Sequence, residues 1–384
     1  MRDITLAKRM DSMQESATLA LNARAKKLAA EGRSILNLTA GELSSDTPLF
    51  IQKSVSKTLH KNKYSAVAGL PELRTLLSKE SKSFYGLKWI ESSNVVVTAG
   101  AKPALYATFL ALINPGDEVI VPTPAWVSYM HLIELAGGVV VAVPLSETFD
   151  LDIAAIKAKI TSKTKALLLN SPHNPTGSIY SKDALRQLHG LLQDKDITVI
   201  SDDIYSKLVF NPSFTLVPKI GFESIVIING FSKSQALTGW RIGYVIAQKP
   251  IADAITKLLS HITGNASLPS QEAAIAALLR HDAPPKSTIK LLEKQREMVR
   301  TTLSRAHGIH FTLPAGAFYF FLDVRDITNN SAQWCEQLLQ ETGVVLVPGE
   351  AFMAPGFARL TYSVDSKVLQ KALEKIVVFS RLSS

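Results

Sequence analysis

The chain holds eight Ser-Lys pairs, at Lys57, Lys79, Lys82, Lys163, Lys182, Lys207, Lys233 and Lys367. Only Lys233 follows a long apolar run, Ser224-Ile225-Val226-Ile227-Ile228-Asn229, and precedes a Gly-x-Arg sequence, Gly239-Trp240-Arg241. A lysine at a strand end, shielded from water, has a lowered pKa and attacks a carbonyl as the free amine. Ser232 and Arg241 flank it in a way that suits a phosphate, the arginine through its forked pair of donors. A carbonyl-attacking lysine beside a phosphate clamp points to pyridoxal 5'-phosphate.

Residues after the other apolar runs suit that cofactor. Val97-Thr98-Ala99-Gly100-Ala101-Lys102 reads as a strand, a small-residue turn and a helix start. The backbone N–H groups of Gly100, Ala101 and Lys102 make an anion site there. Asp202 closes the run Thr198-Val199-Ile200-Ser201. A buried carboxylate at that place keeps a pyridine nitrogen protonated, so that the ring accepts carbanion electrons. Tyr205, three residues on, and Asn174, in Asn170-Ser171-Pro172-His173-Asn174-Pro175-Thr176-Gly177, are placed to hold the ring's 3-oxygen. Trp126, after Pro122-Thr123-Pro124, offers a face for stacking. Taken singly, Asp202 also reads as a helix cap, Trp126 as core filling and Asn174-Pro175 as a turn. Taken together and in this order, the chemical reading prevails.

The elements that must carry these residues alternate between apolar strands and amphipathic helices. Strands are expected at 94–98, 117–122, 138–143, 166–170, 198–202 and 224–229, and helices over 12–32 and 102–113. In the first helix Leu19, Leu21, Ala25 and Leu28 recur on one side and Gly32 is a stop. Near-continuous Val, Ile and Leu mark strands buried on both faces, as in a parallel sheet covered by helices. Polar residues gather where strands end, at Thr98, Asn170, Asp202 and Asn229. In open α/β sheets that is where ligands lie. Ala283-Pro284-Pro285-Lys286 breaks the pattern. A long helix and strands over 318–324, 344–347 and 359–363 follow, reading as a smaller α+β domain.

Other chemistries lack their signatures. There is no Gly-x-Gly-x-x-Gly after a strand, no Walker A sequence and no His-Glu-x-x-His. Gly230-Phe231-Ser232-Lys233-Ser234 misses the last glycine of a nucleophile elbow. His307 and His310 are spaced to share a helix face, but no third metal ligand accompanies them. The single cysteine, Cys335, allows neither an internal disulfide nor a thiolate cluster. Composition is that of a globular protein, 384 residues with 46% hydrophobic. The charge of +9 is spread along the chain, which suits acidic small molecules better than nucleic acid. The start is too charged for a signal sequence, and no apolar run reaches membrane-spanning length. A cytoplasmic protein is expected.

The chain resembles the fold-type I, class I pyridoxal-phosphate aminotransferases, in particular the bacterial aspartate aminotransferase-like subgroup. The resemblance runs from about residue 17 to about residue 375. It rests on Asn62-Lys63-Tyr64-Ser65-Ala66-Val67-Ala68-Gly69-Leu70-Pro71-Glu72-Leu73-Arg74, the Asn174 segment, Ser201–Tyr205, Ser232–Arg241 and Pro348–Arg359. It implies an α/β fold with a large cofactor domain over 43–280, and a small domain joining 1–42 to 281–384. It implies that Lys233 is the Schiff-base lysine and proton shuttle. Asp202 then pairs with the pyridinium, Tyr205 and Asn174 hold the 3-oxygen, and Trp126 stacks. Gly100, Ala101, Lys102, Ser232 and Arg241 surround the phosphate, and Tyr64 reaches that of the neighbouring subunit in a homodimer. Arg359 binds the substrate α-carboxylate, with Asn174 and the Gly41 backbone beside it.

The implied reaction is a ping-pong transfer between an L-amino acid and a 2-oxo acid. Lys102 is implied to meet a distal carboxylate, which favours aspartate and glutamate. Two segments depart from the family pattern near the expected substrate pocket. Gly41-Glu42-Leu43-Ser44-Ser45 lacks the usual Pro after Glu, and Gly349-Glu350-Ala351-Phe352-Met353 has Glu and Met where small residues are common. An aromatic or broad donor range, and a C–S β-lyase, are the alternatives on the same fold. A non-catalytic regulator is the alternative from another class.

Overall fold

The computed structural model describes residues 4–10, 13, 17–280 and 284–382. The apolar runs form strands because each buries branched side chains on both faces. The strands are β1 (Leu36–Asn37), β2 (Val95–Thr98), β3 (Glu118–Thr123), β4 (Val139–Pro144), β5 (Thr164–Asn170), β6 (Thr198–Asp202) and β7 (Ile225–Gly230). They continue as β8 (Gly243–Ile246), β9 (His310–Phe311), β10 (Tyr319–Asp323), β11 (Val344–Val345), β12 (Val347–Pro348) and β13 (Phe357–Thr361).

Seven of them make the central sheet, in the order β2-β8-β7-β6-β5-β3-β4. Neighbours run parallel except around β8, which is antiparallel to both β2 and β7. Every residue of β2, β7 and β8 is buried. Helix Ala101–Leu112 seals one face, setting Leu105 and Phe109 into a core with Val96, Val121, Ile228 and Val245. Helix Pro71–Tyr85 works on the other face, where Leu73 and Leu77 meet Val97, Ile227 and Ile246. Proline at its first turn removes a backbone donor that would have had no partner.

A second core lies under an antiparallel sheet of order β12-β13-β10-β9 and the parallel pair β1 and β11. Phe318, Phe320, Leu322 and Leu360 pack there against Val299 of helix Lys286–Leu303 and Leu373 and Ile376 of helix Ser366–Leu382. Ile204, Tyr205 and Leu208 belong to this second core although they follow β6 of the first sheet. The turn after β6 is thus wedged between the two packing units.

Several expectations need correction. The run 138–143 is the edge strand β4, and Val139 is 49% exposed, so that strand is not buried on both faces. Strand β8 was unread, although Ile242-Gly243-Tyr244-Val245-Ile246-Ala247 is as apolar as its neighbours. His310 lies on the short strand β9, its Nε2 2.8 Å from Asp326, and His307 lies in a turn before it, so the two share no helix face. The first helix runs Ala17–Ala30, with Ala25 buried and Leu21 and Leu28 half-buried. The earlier part of that expectation falls mostly outside the described residues. Ala283 of the 283–286 break lies outside them too, and the next helix starts at Lys286 behind Pro285.

Candidate active site

The turns that follow the carboxyl ends of the central strands converge on a cavity of about 350 Å³. Ala101 and Lys102 reach it after β2, Trp126 after β3, Asn174 after β5, Asp202 and Tyr205 at the end of β6, and Ser232 and Lys233 after β7. The second unit closes it with Gly41, Tyr319 of β10 and Arg359 of β13. Residues scattered from Gly41 to Arg359 in sequence therefore face one space.

Four cations, Lys102, Lys233, Arg241 and Arg359, line this cavity against two carboxylates, Glu42 and Asp202. Such a site attracts anions. Arg359 is 2% exposed, and its contacts leave its charge uncompensated. Its Nη1 donates to Asn174 Oδ1 at 2.9 Å and its Nη2 to the Thr39 carbonyl at 2.8 Å, both neutral acceptors. Its buried Nε has no partner. The guanidinium carbon lies 4.4 and 5.0 Å from the ring centroids of Tyr319 and Phe352, a cation–π contact with each. A charge buried this way costs free energy unless an anion joins it. A carboxylate, which takes two parallel N–H donors, is the natural partner.

Lys233 is half-buried, and its amine donates to the Gly41 carbonyl. Burial first, and then the neighbouring Arg359 and Arg241 charges, lower its pKa to about 8, against the opposing pull of Glu42 and Asp202. A sizeable fraction of neutral amine is thus present near neutral pH. Asp202 is held by Tyr129, whose hydroxyl donates to Oδ2 at 2.7 Å, and by the Ile204 N–H at 3.2 Å. Burial still raises its pKa to about 6, since these bonds only partly offset the loss of water. A cation docking against it would lower that value and fix the carboxylate in its charged form.

Tyr205 shares a 2.8 Å hydrogen bond with the Tyr319 hydroxyl. Asn174 is fixed through its main chain, its N–H donating to Asn170 Oδ1 at 2.9 Å, while Asn170 Nδ2 donates to the Asp202 carbonyl at 2.8 Å. The polar strand end at Asn170 therefore works behind the site, as does Asn229, whose Nδ2 donates to Tyr85 and Ser206. Lys102 holds its ammonium 5.0 Å from the Trp126 ring centroid. Burial and the nearby Arg241 lower its pKa.

Gly100 begins the turn between β2 and its helix with φ +100°. A Cβ there would stand 2.5 Å from Arg241 Nη2, so glycine leaves the arginine room beside the helix amino terminus. Arg241 itself has φ +52° and Ala236 φ +55° in the loop joining β7 to β8. Strained backbone of this kind collects at functional loops. Arg241 Nη1 donates to the Thr238 carbonyl at 2.9 Å, which aims it back across this loop.

Of the residues singled out in the sequence, Gly41, Ala101, Lys102, Trp126, Asn174, Asp202, Tyr205, Ser232, Lys233, Arg241 and Arg359 line the one cavity, and Gly100 abuts it through Arg241. Tyr64 does not line its own chain's cavity and is 98% exposed. Two departures from the family pattern sit elsewhere than expected. Glu350 accepts from Ser331 Oγ at 2.6 Å and the Ala332 N–H at 3.1 Å, capping helix Ser331–Thr342, and Met353 is 51% exposed. Leu43, which stands where the family usually has Pro, does not line the cavity either, whereas its neighbour Glu42 does. Sequence reading missed Tyr129, Tyr319 and Asn22, which line it as well. Tyr129 carried a signal, lying one helical turn beyond Trp126. Tyr319 and Asn22 carried none, because their positions depend on how the second unit docks.

Lys233 and Asp202 stand at the ends of parallel strands and face Arg359 of the antiparallel sheet, an arrangement suited to small amino and oxo acids. The family model "Aminotransferase class I and II" matches residues 33–376. An asparagine–oxo-acid transaminase of Streptococcus mutans is 39% identical, over 97% of this chain and 98% of the relative. The solved structure of an aspartate aminotransferase from Thermotoga maritima is 39% identical, covers 99% of this chain and 100% of its own, and superposes with a TM-score of 0.92. That of an aspartate aminotransferase from Thermus thermophilus with maleate is 36% identical over 99% and 100%, with a TM-score of 0.93. The chain belongs to the class I and II aminotransferase family. It is an aminotransferase of fold type I, transferring an amino group between an amino acid and a 2-oxo acid.

Proposed function

We propose that the enzyme uses pyridoxal 5'-phosphate and prefers a dicarboxylic amino acid, aspartate or glutamate, as donor. The observation that carries the amino-acid chemistry is the buried, uncompensated Arg359 guanidinium in one cavity with the Lys233 amine, and the acidic preference is supported by Lys102, a further cation in that cavity. The donor set fits the cofactor. Gly100, Ala101, Lys102, Ser232 and Arg241 would hold its phosphate, where the helix amino terminus and cations favour an anion. Asp202 would pair with its ring nitrogen, Tyr205 and Asn174 would hold its 3-oxygen, and Trp126 would stack on it. When bound, the cofactor delocalises the electron pair left at the substrate α-carbon.

The chain's own residues do the rest. Arg359 grips the α-carboxylate, with Asn174 and the Gly41 backbone beside it, and this orients the Cα–H bond. Lys233 Nζ, neutral in a useful fraction because of its lowered pKa, takes the Cα proton and delivers it two atoms away; water then breaks the Cα–N bond and releases the oxo acid, so that the amino group changes owner. Burial keeps water from competing for that proton. Lys102 beside Trp126 would meet a distal carboxylate.

The assembly we propose is a homodimer with shared sites. Full exposure of Tyr64, away from its own cavity, supports its delivery to the partner's phosphate. Residues 43–280 would form the large domain, and 1–42 with 281–384 the small one. A cytoplasmic setting accords with a single, buried cysteine.

L-Aspartate, added without acceptor, is expected to bleach the visible cofactor band faster than L-phenylalanine does. Equal or faster bleaching by phenylalanine would replace the acidic preference with a broad one. That second reading has support in a Thermus thermophilus relative, 37% identical over 96% of this chain, named an aspartate/prephenate aminotransferase. Gly100→Ala is expected to weaken cofactor binding about tenfold, from a strained φ and the clash with Arg241. Absorbance titration of the apoprotein checks this, and unchanged affinity would remove Gly100 from the phosphate site.

A further inference from the structure

The segment Leu36–Gly41 is threaded between strands that come 300 residues later. The Leu36 N–H donates to the Gly343 carbonyl at 2.8 Å and the Leu38 N–H to that of Val345 at 3.0 Å. On its other edge the Leu38 carbonyl accepts from the Thr361 N–H at 2.9 Å. The Thr39 carbonyl accepts from Arg359 Nη2, and the Gly41 carbonyl accepts from Lys233. One short stretch of backbone thus touches both the carboxylate anchor and the reactive amine.

A side chain fixes that stretch. Asn37 Oδ1 accepts from the Thr39 N–H at 3.0 Å and from Thr39 Oγ1 at 2.7 Å. These bonds fix the Leu38–Thr39 peptide unit and the Thr39 side chain, on either side of the Cα from which the Thr39 carbonyl projects. Asn37 Nδ2 donates to Asn22 Oδ1 at 2.7 Å. Asn22 lies on the amino-terminal helix Ala17–Ala30 and lines the same cavity. Four residues therefore form one hydrogen-bonded chain from that helix to the guanidinium: Asn22, Asn37, Thr39 and Arg359. Arg359 has no carboxylate among its contacts to hold it, so the direction of the Thr39 carbonyl decides where one arm of its fork points.

We propose that Asn37 is a positioning residue for substrate carboxylate binding, aiming Arg359 through the Thr39 carbonyl and tying that aim to the amino-terminal helix. The inference rests on Arg359 being the carboxylate anchor. It touches neither the cofactor cradle nor Lys233 directly, so it separates binding from turnover.

The test is equilibrium binding of maleate, an unreactive dicarboxylate, to the holoenzyme, with steady-state kinetics on L-aspartate. Asn37→Ala is expected to raise the maleate dissociation constant and the aspartate KM about tenfold, the loss of one hydrogen bond's worth of aim on a charged group. The kcat and the visible cofactor band should stay within about threefold and unchanged, respectively. Asn37→Asp should restore binding, since a carboxylate still accepts from Thr39 and Asn22 can turn its amide to donate. Thr39→Val, which removes only the hydroxyl donor, should shift binding in the same direction by about threefold, and it serves if Asn37→Ala folds poorly. Unchanged maleate binding in both Asn37→Ala and Thr39→Val overturns the proposal. So does a parallel loss of kcat, cofactor and melting temperature, which marks a merely structural role. Arg359→Lys is the control. If it weakens maleate binding and the Asn37 variant does not, only this inference fails. If it leaves maleate binding unchanged, the carboxylate reading of Arg359 fails.

Discussion

Lys233→Ala is expected to lower kcat for transamination by several orders of magnitude while leaving the fold intact. The side chain is half-buried, and its removal deletes a charge-prone amine from the cavity and leaves no unpaired group except the Gly41 carbonyl, which borders the cavity. What is lost is the group that moves the Cα proton, and no other neutral base stands in its place. Asp202 is engaged by Tyr129 and Ile204, and Tyr205 by Tyr319. Exogenous methylamine should recover a small part of the rate in the variant. The same amine governs loading of the apoprotein. With a pKa of about 8, the neutral form gains fraction as pH rises to that value and changes little above it. Loading with pyridoxal phosphate is therefore expected to accelerate up to about pH 8, where an ordinary lysine would keep accelerating toward pH 10.5. Stopped-flow absorbance checks both halves. Full turnover in Lys233→Ala would sink the assignment.

Arg359→Lys is expected to cut kcat/KM for every amino acid tested by about 100-fold or more, with the larger part in KM. The guanidinium offers a planar fork, and an ammonium keeps only the charge. The substitution also gives up the guanidinium's contacts with the Tyr319 and Phe352 rings. It strips Asn174 Oδ1 and the Thr39 carbonyl of their donors, leaving buried acceptors unpaired, which adds about 1–3 kcal/mol each at the site. Donors with and without a distal carboxylate should suffer alike, because the α-carboxylate is common to all. A loss confined to aspartate and glutamate would show instead that Arg359 reads the distal group.

Much of this site could be read from residue order. Lys233, Asp202, Asn174 and Trp126 sit just beyond strands whose apolar runs are continuous in the sequence, so each declares both its element and its place at that element's end. A parallel sheet then gathers those ends with no further information. The exceptions have a common cause. Strand β8 is antiparallel and places no cavity residue at its carboxyl end, so the rule that found the others had no purchase on it. Val139 satisfies the apolar pattern of a central strand, yet its position at the sheet edge is set by strand order, which no local window encodes. Glu350 sits beside site residues in sequence, but the backbone turns it away to cap helix Ser331–Thr342. Asn22, Asn37 and Tyr319 acquire their roles only through docking between units far apart along the chain.

The threading of Leu36–Gly41 between β11 and β13 also sets an order of events during synthesis. The Thr39 carbonyl waits for Arg359, a partner 320 residues away, and Leu38 waits for Val345 and Thr361. The sheet that carries Asp202 and Lys233 needs nothing beyond Ile246 to complete its strand ladder. As chains emerge amino terminus first, the strands that carry the amine and its carboxylate neighbour are synthesised well before the carboxylate anchor exists. The element that selects substrates is among the last to arrive, so an unfinished chain can complete the ladder bearing Lys233 and Asp202 while it still lacks both that anchor and the second core that seats Tyr205.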